Sequence, residues 1–449
     1  MELSANCKNA IIIPSCVDRN RGDQALVWEA IRLVKDVFGQ SVKISIVKPS
    51  EDESELQQTK ELGYPLLNPI LRHPRRKTDK ENPINYDLVT KSLWVIRGLW
   101  DLVKTEMLLS GFRPVRYVGG LLCPENARGT LQCFKKADAV FFRGGGSIHS
   151  YGRIIDWYYV YYFLFQIKLA LRFNSNVYVL PNSIGPLKNN LARKMVRSTL
   201  KRCKLVTLRE KISLELMERL EIRSVYSPDM GFYLKPSAKD FSEYLTRKGV
   251  PEGPKVAITV RPYRFMGHNS PERYYEQYLI SLAAFSEYLV KNGYHVTLFM
   301  QSFDNKNKHE DDRCAMADIY RRIGEEYKGN ISYIDDTTLD CSEVEKIYSY
   351  YDYLVGTRFH SVIFALNVGV PCIAIAYGGN KGQGIMKELG NDRYVIDIDA
   401  LDKGKLVSAF EILKSERSMY LKRLSYFRKS IQFYREMLVS SIKRIERCD

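Results

Sequence analysis

The sequence has no hydrophobic run long enough to cross a membrane. Its most apolar stretch, Trp157 to Phe165, is nine residues long and ends at Gln166 and Lys168, where a spanning helix needs about 20. The opening MELSANCKNAIIIPSC has neither a basic n-region nor an apolar segment of leader length, so no secretory signal is expected. Nine cysteines are scattered without a C-x-x-C pair. That pattern excludes a disulfide scaffold and suits a reducing compartment, so the expected location is cytoplasmic. There is no HExxH, no Cys/His set at zinc spacing and no GxSxG elbow, and neither a metal nor another cofactor is expected. Asp397 and Asp399 do form a D-x-D, which reads as a cap for the residues that follow. With no RNP motif, zinc knuckle or reading helix, nucleic acid is not an expected partner.

What is present is core material and positive charge. Of 449 residues, 45% are hydrophobic and 27% charged, the balance of a globular chain of two or three domains. Lys and Arg outnumber Asp and Glu by 68 to 52, a net charge of +16, which points to an anionic partner such as a membrane surface or a charged substrate. Part of the excess lies in RHPRRK, Arg72 to Lys77, and part between Lys414 and Arg447. In the second stretch Leu421, Leu424, Phe427, Ile431 and Phe433 interleave with Lys422, Arg423, Arg428, Lys429 and Arg435. This is first the pattern of a helix packed by one face. The second reading is a helix near an anionic lipid headgroup, a peripheral contact at the inner face of a membrane.

Short β-rich runs alternate with longer helical segments. Ala10–Ile13, Val42–Val47, Ala139–Phe142, Val177–Leu180 and Leu205–Leu208 read as buried parallel strands, with helices over Gln24–Phe38, Asp156–Arg172 and Leu191–Cys203. The rhythm pauses at Leu234–Lys255, where Pro236, Gly249, Pro251, Gly253 and Pro254 gather. It resumes with strands at Val256–Val260, Val296–Met300, Ile331–Ile334, Tyr353–Val355 and Cys372–Ala376. The expectation is an α/β protein of two Rossmann-like domains on mostly parallel sheets: residues 1–235, a linker at 236–255, and residues 256–449 ending in the basic helix. Residues 66–130 break the rhythm and read as an insertion in the first domain, with Trp94 and Trp100 in helices that cover a face or meet a partner. Ligands of open α/β sheets bind at strand carboxyl ends, so an active cleft between the domains is expected.

The chemistry-bearing residues sit at those strand ends. In G-T-R-F-H-S, Gly356 to Ser361, a strand gives way to an apolar helix. Thr357, Arg358 and His360 lie at the turn, beside backbone N–H groups and the positive helix end. Arg358 offers a fork that matches carboxylate or phosphate, and His360 has both protonation states within reach near neutral pH. The bland alternative is an Arg358 ion pair and a His360 cap. Ala376 to Gly384, AYGGNKGQG, follows the next strand; Gly379 lets backbone approach a ligand and Lys381 supplies a point charge. FFRGGGSIHS reads as strand, glycine loop and helix start, with Gly144, Gly145, Gly146 and Ser147 as a nest for an anion or a sugar, and His149 as a structural residue or, alternatively, a second acid–base group. Asp23 in RNRGDQAL is either a helix N-cap or a carboxylate facing the cleft. Ser183 lies in PNSIGP, read as a rigid turn, and Asp229 at the tip of SPDMGF. Arg209 and Arg261 each follow a strand, as cleft cations or surface ion pairs.

Together these motifs resemble the polysaccharide pyruvyl transferase family. They are N-x-G-D-x-A (Asn20, Gly22, Asp23, Ala25), the strand with G-G-G-S, S-I-G-P (Ser183 to Pro186) and the P-D turn (Pro228, Asp229). Most specific is G-T-R-F-H-S followed by A-L-N-x-G-V-P (Ala365 to Pro371). Phe359 stands where many relatives carry Leu. The resemblance spans residues 10–390 without the 66–130 insertion. It implies a GT-B-like pair of domains and transfer of pyruvate from phosphoenolpyruvate onto two hydroxyls of a sugar, giving a cyclic ketal and phosphate. A donor with a carboxylate and a phosphate calls for several fixed cations. Arg358 and Lys381 supply them, with Thr357 and Gly379 at the pocket and Arg209, or else Arg261, as the further contact. His360 takes the acid–base role, and Arg358 and Lys381 stabilise the leaving phosphate. The acceptor is a sugar or oligosaccharide, free or lipid-linked, expected on the first domain near Asp23, Gly144, Gly145, Gly146, Ser147 and Ser183. A capsule, exopolysaccharide or wall polymer is the setting. Two alternatives stay open: a GT-B glycosyltransferase using a nucleotide sugar at the same C-terminal block, and a non-catalytic protein binding anionic glycans or lipids.

Overall fold

The computed structural model describes residues 8–72, 88–153, 155–377 and 381–448, with backbone alone at 381–383. The chain falls into two compact units. The first comprises Met1–Asp18, Leu26–Met230 and Tyr434–Asp449, the second Arg19–Ala25 and Gly231–Phe433.

In the first unit the strands are β1 (Asn9–Ile13), β2 (Lys43–Val47), β3 (Leu66–Leu67), β4 (Ala139–Phe142), β5 (Gly145–Ser150), β6 (Asn176–Leu187), β7 (Leu205–Leu208) and β8 (Val225–Tyr226). They run in the order β3-β2-β1-β4-β6-β7-β8, with β5 beside β6, and every pairing is parallel. Ile12, Ile13, Val140 and Phe141 are fully buried, which is why β1 and β4 are apolar without alternation: a parallel strand is covered on both faces. Helix Asp156–Arg172 lays Val160, Leu164, Phe165 and Ile167 into the same core.

Two expected loops are strand instead. Gly145–Ser150 is not a glycine nest leading into a helix but β5, paired with the second half of β6 from Asn182 to Leu187. PNSIGP is accordingly the far half of β6 rather than a turn. The register between β6 and β7 shifts between Val179 and Asn182, where Pro181 brings no N–H to the ladder.

The second unit holds β9 (Lys255–Thr259), β10 (His295–Phe299), β11 (Ile331–Ile334), β12 (Tyr353–Gly356), β13 (Cys372–Ala376) and β14 (Val395–Asp397), parallel throughout in the order β11-β10-β9-β12-β13-β14. The strand–helix alternation along the chain makes both units Rossmann-like α/β sheets, as expected. Because all six strands of the second sheet point the same way, the loops after β9, β10, β12 and β13 leave from one edge. That edge gathers the site.

Two segments group differently from a single cut near residue 235. Arg19–Ala25 joins the second unit because it is strapped to the loop after β10: Arg21 N donates to Gln301 O (3.1 Å) and Phe303 N to Arg19 O (3.1 Å). The end of the C-terminal helix, Arg417–Cys448, joins the first unit, where Glu446 accepts from Tyr178 Oη (2.5 Å) and Asn176 Nδ2 (3.0 Å). That helix buries Tyr420, Leu424, Ile431, Leu438 and Ile442, so one face packs as expected, but Phe433 of the apolar pattern is 59% exposed. Among the described residues no helix is long and apolar enough to cross a membrane. Of the basic run Arg72 to Lys77, all but Arg72 lie outside the described residues.

Candidate active site

The turn after β12 explains the G-T-R-F-H-S motif position by position. A Cβ on Gly356 would meet Val362 Cγ2 at 2.7 Å and Ser361 Oγ at 2.9 Å, so only glycine lets the strand pass so close to the helix it feeds. Ser361 Oγ donates to the Arg358 carbonyl and bonds Thr259 Oγ1, both at 2.6 Å, pinning the turn to β9. Thr357 is buried, with its hydroxyl 3.0 Å from Tyr278 Oη. Helix Phe359–Asn367 starts at Arg358 with no side chain capping it, which leaves its positive end available to an anion. Its other end closes on Gly369, at φ +87°, with Val370 N donating to Ala365 O (2.8 Å); this accounts for A-L-N-x-G-V-P.

Arg358 is buried and heavily engaged. Nε and one terminal nitrogen both donate to Asp312 Oδ1 (2.9 and 2.7 Å), and the other donates to Glu310 Oε2 (3.2 Å). Burial pulls its pKa down, but Asp312, Tyr377 and Glu310 outweigh it and hold the guanidinium charged, above its ordinary value. Asp312 is itself fixed by the N–H groups of Gln301 (3.1 Å) and Ser302 (2.8 Å). Arg261 stands alongside. It donates to Glu310 Oε1 (2.9 Å) and to Tyr377 Oη (2.7 Å), and lies over the Tyr377 ring. Glu310 is 43% exposed and therefore bridges two arginines from the solvent side, while Asp312 anchors one of them from within.

The N-x-G-D-x-A motif comes to the same place. Asn20 Oδ1 accepts from Gly22 N (3.1 Å) and Asp23 N (3.3 Å), so the N-cap of helix Arg21–Phe38 is Asn20 and not Asp23, which sits in the first turn. Gly22 faces His360: a Cβ there would fall 2.2 Å from the imidazole Cγ and Nδ1. Arg21 donates to Thr337 O (2.7 Å) over the Phe303 ring, and Gln24 Oε1 accepts from Cys341 N (2.8 Å). The motif thus fastens a loop from early in the chain beside the histidine of a late one.

A second cluster forms within the first unit. Arg209 Nε donates to Ser183 Oγ (2.8 Å) and its terminal nitrogen pairs with Asp229, all three side chains buried. This joins the S-I-G-P and P-D motifs through one arginine. Buried Arg143 donates to Pro14 O (2.9 Å) and Gly144 O (2.7 Å), and its guanidinium lies where a Cβ on Gly145, at φ +148°, would be 2.9 Å away. Asn182 Nδ2 binds the carbonyls of Arg143 and Leu180, both at 2.8 Å. Gly146 and Ser147 follow on β5, half-buried, and the His149 ring lies 5.0 Å from Tyr151.

The structure therefore brings together His360, Arg358, Thr357, Arg261 and Asp23 in the second unit, and Ser183, Gly144–Ser147 and Arg209 in the first. Lys381 opens helix Lys381–Glu388, but its side chain and Gly379 lie outside the described residues. Asp397 accepts from Asp399 N (2.9 Å), the capping role read from the sequence. Sequence reasoning missed Glu310, Asp312, Tyr278 and Tyr377. The acidic run Glu310–Asp312 after β10 was the available signal, since it sits at a strand carboxyl end like the residues that were singled out.

Comparison with known proteins gives the same picture at three levels. Sucrose-phosphate synthase from Thermosynechococcus elongatus superposes with a TM-score of 0.51 at 12% identity, covering 98% of each chain. UDP-GlcNAc 2-epimerase from Methanocaldococcus jannaschii gives 0.51 at 12% identity over 90% of this chain and 92% of that one. These likenesses show the GT-B-like fold and nothing finer. The amylovoran biosynthesis protein AmsJ of Erwinia amylovora is 24% identical over 315 residues, 68% of this chain and 72% of that protein. Residues 20–379 match the family described as polysaccharide pyruvyl transferase, a span holding both motif clusters. The chain belongs to the polysaccharide pyruvyl transferase family and is a transferase of that kind.

Proposed function

We propose that the cluster around Arg358 and His360 binds phosphoenolpyruvate and that His360 handles the protons of its transfer. The observation that carries this reading is the seat of Glu310. Its carboxylate lies between Arg261 and Arg358, at 2.9 and 3.2 Å, on the solvent side of the uncapped helix end. Two guanidiniums that already grip one carboxylate offer the same grip to a ligand's carboxylate or phosphate once Glu310 swings into solvent.

In the reaction so read, the methylene carbon of phosphoenolpyruvate gains a proton and C2 forms bonds to two hydroxyl oxygens of one sugar. The bond from C2 to the bridging oxygen breaks, and phosphate leaves carrying the second hydroxyl proton. In this reading His360, which lies against Gly22, relays the protons. Arg358 and Arg261 stabilise the charge that collects on the departing phosphate. The acceptor belongs to a polysaccharide or its precursor; the naming of AmsJ for amylovoran biosynthesis supports an exopolysaccharide. For the acceptor site, the buried Ser183–Arg209–Asp229 cluster and the β5 glycines are the candidates in the first unit.

Calorimetric titration tests the donor. The parent protein binds phosphoenolpyruvate, and Arg261→Ala binds it at least about tenfold more weakly, the loss of one charge-assisted pair. Phosphate release by His360→Ala with a competent acceptor falls by about 10²–10⁴, the usual contribution of acid–base catalysis. Binding of nucleotide sugars without phosphoenolpyruvate would overturn the reading in favour of glycosyl transfer.

A further inference from the structure

Helices Leu88–Leu109 and Arg113–Leu121 pack against each other in the first unit. Gly119 is their point of closest approach: a Cβ there would meet Leu108 N at 2.7 Å and Met107 Cβ at 2.9 Å. The longer helix buries Gly98, Asp101, Thr105 and Leu108, and Thr105 Oγ1 bonds Tyr161 Oη at 2.7 Å. Its other side is as apolar as the buried one. Val89, Leu93, Ile96, Trp100 and Val103 recur at alternating spacings of four and three residues, which is one continuous stripe, and all five are exposed. The shorter helix adds Tyr117 and Leu121, 70% and 57% exposed. Single exposed apolar residues are ordinary, but an unbroken stripe marks a surface that meets something.

The charge around it says what. Between Leu88 and Leu122 stand Lys91, Arg97, Lys104, Arg113 and Arg116 against only Asp101 and Glu106, and Asp101 is paired with Lys104 at 2.8 Å. A second copy of the chain would set like charges against like across a two-fold contact. Neither helix is apolar enough to span a bilayer. An apolar stripe edged by cations, on a helix that does not span, is the composition of an element lying in the headgroup plane.

We propose that this helix pair docks the protein on an anionic lipid bilayer, with Leu93, Ile96 and Trp100 sunk at the headgroup level and the flanking lysines and arginines on lipid phosphates. The proposal is independent of the donor chemistry. It places membrane contact on the segment between Leu88 and Leu122; the C-terminal helix buries Leu424, Ile431, Leu438 and Ile442 and leaves only Met419, Tyr426, Phe433 and Met437 of its large apolar residues exposed.

Co-sedimentation of the full chain with vesicles tests it, using pure phosphatidylcholine and an equal mixture of phosphatidylcholine and phosphatidylglycerol. The protein is expected to bind the mixed vesicles at least about tenfold more strongly than the neutral ones, and less as salt is raised. The triple variant Leu93→Ser, Ile96→Ser, Trp100→Ser should lose more than about tenfold of that binding with its melting temperature unchanged. The pair Lys91→Glu, Arg113→Glu should weaken binding to the mixed vesicles only. A parent that stays in the supernatant with both vesicle types, or a triple variant that binds as the parent does, overturns the proposal. So does a parent that ignores vesicles but forms a dimer which the triple variant dissolves.

Discussion

An alanine at position 22 would place its Cβ 2.2 Å from the His360 imidazole, far inside any tolerable contact, so the ring or the Asn20–Asp23 turn must give way. If His360 moves protons at a fixed point, displacing it should cost as much as deleting it. Gly22→Ala is expected to lower turnover by at least about tenfold while donor affinity changes little, because Arg261 and Arg358 are anchored elsewhere. The double variant with His360→Ala should fall no further than His360→Ala alone, the non-additivity expected of residues acting as one unit. Full additivity would mean that Gly22 serves the loop and not the imidazole. At this scale the sequence was informative where a motif names residues: Gly22, Arg358 and His360 are legible, and their meeting is what the structure adds. Glu310 and Asp312 were not legible because their role depends on sheet order. They follow β10, and only the sequence of neighbours β10-β9-β12 brings that loop to Arg358.

At the scale of elements, every long apolar run read as a strand is one, and helix Asp156–Arg172 has the expected bounds. The failures were segments whose local chemistry says turn: Gly145 and Gly146 in β5, and Pro181, Gly185 and Pro186 in β6. Pairing with each other overrides that preference, as sheet context often does. The β10–β11 edge carries a pH signature of its own. His295 opens β10, bonded to Ser332 Oγ of β11 at 2.5 Å. Burial, and then the Lys255 charge, lower its pKa from 6.5 to about 4. A histidine depressed on folding takes up its proton more readily when unfolded. Its stabilisation is therefore complete above about pH 6.5, is lost as the pH falls through the window down to about 4, and changes no further below. After allowance for solvent the loss is about 2 kcal/mol. Urea unfolding between those limits should show this slope in the parent and a flatter one in His295→Gln; parallel slopes would remove His295 as the cause.

The whole molecule offers a way to see its two units apart. All four tryptophans, Trp28, Trp94, Trp100 and Trp157, belong to the first unit, so indole fluorescence reports on that unit alone while circular dichroism reports on both. His295 belongs to the second. The C-terminal helix supplies core residues to each: Leu424 within the second unit and Ile442 within the first, both almost wholly buried. Truncating either to alanine should cost about 2–5 kcal/mol where its side chain packs. Each unit has its own sheet and core, so separate transitions are expected. Ile442→Ala should lower the fluorescence midpoint, and Leu424→Ala should leave it in place while moving the remaining dichroism transition. That second transition should also be the one that weakens between pH 6.5 and 4. If both variants shift both probes together, the shared helix couples the units into one cooperative whole, and a mutation at either end of it would then reach the site residues of both.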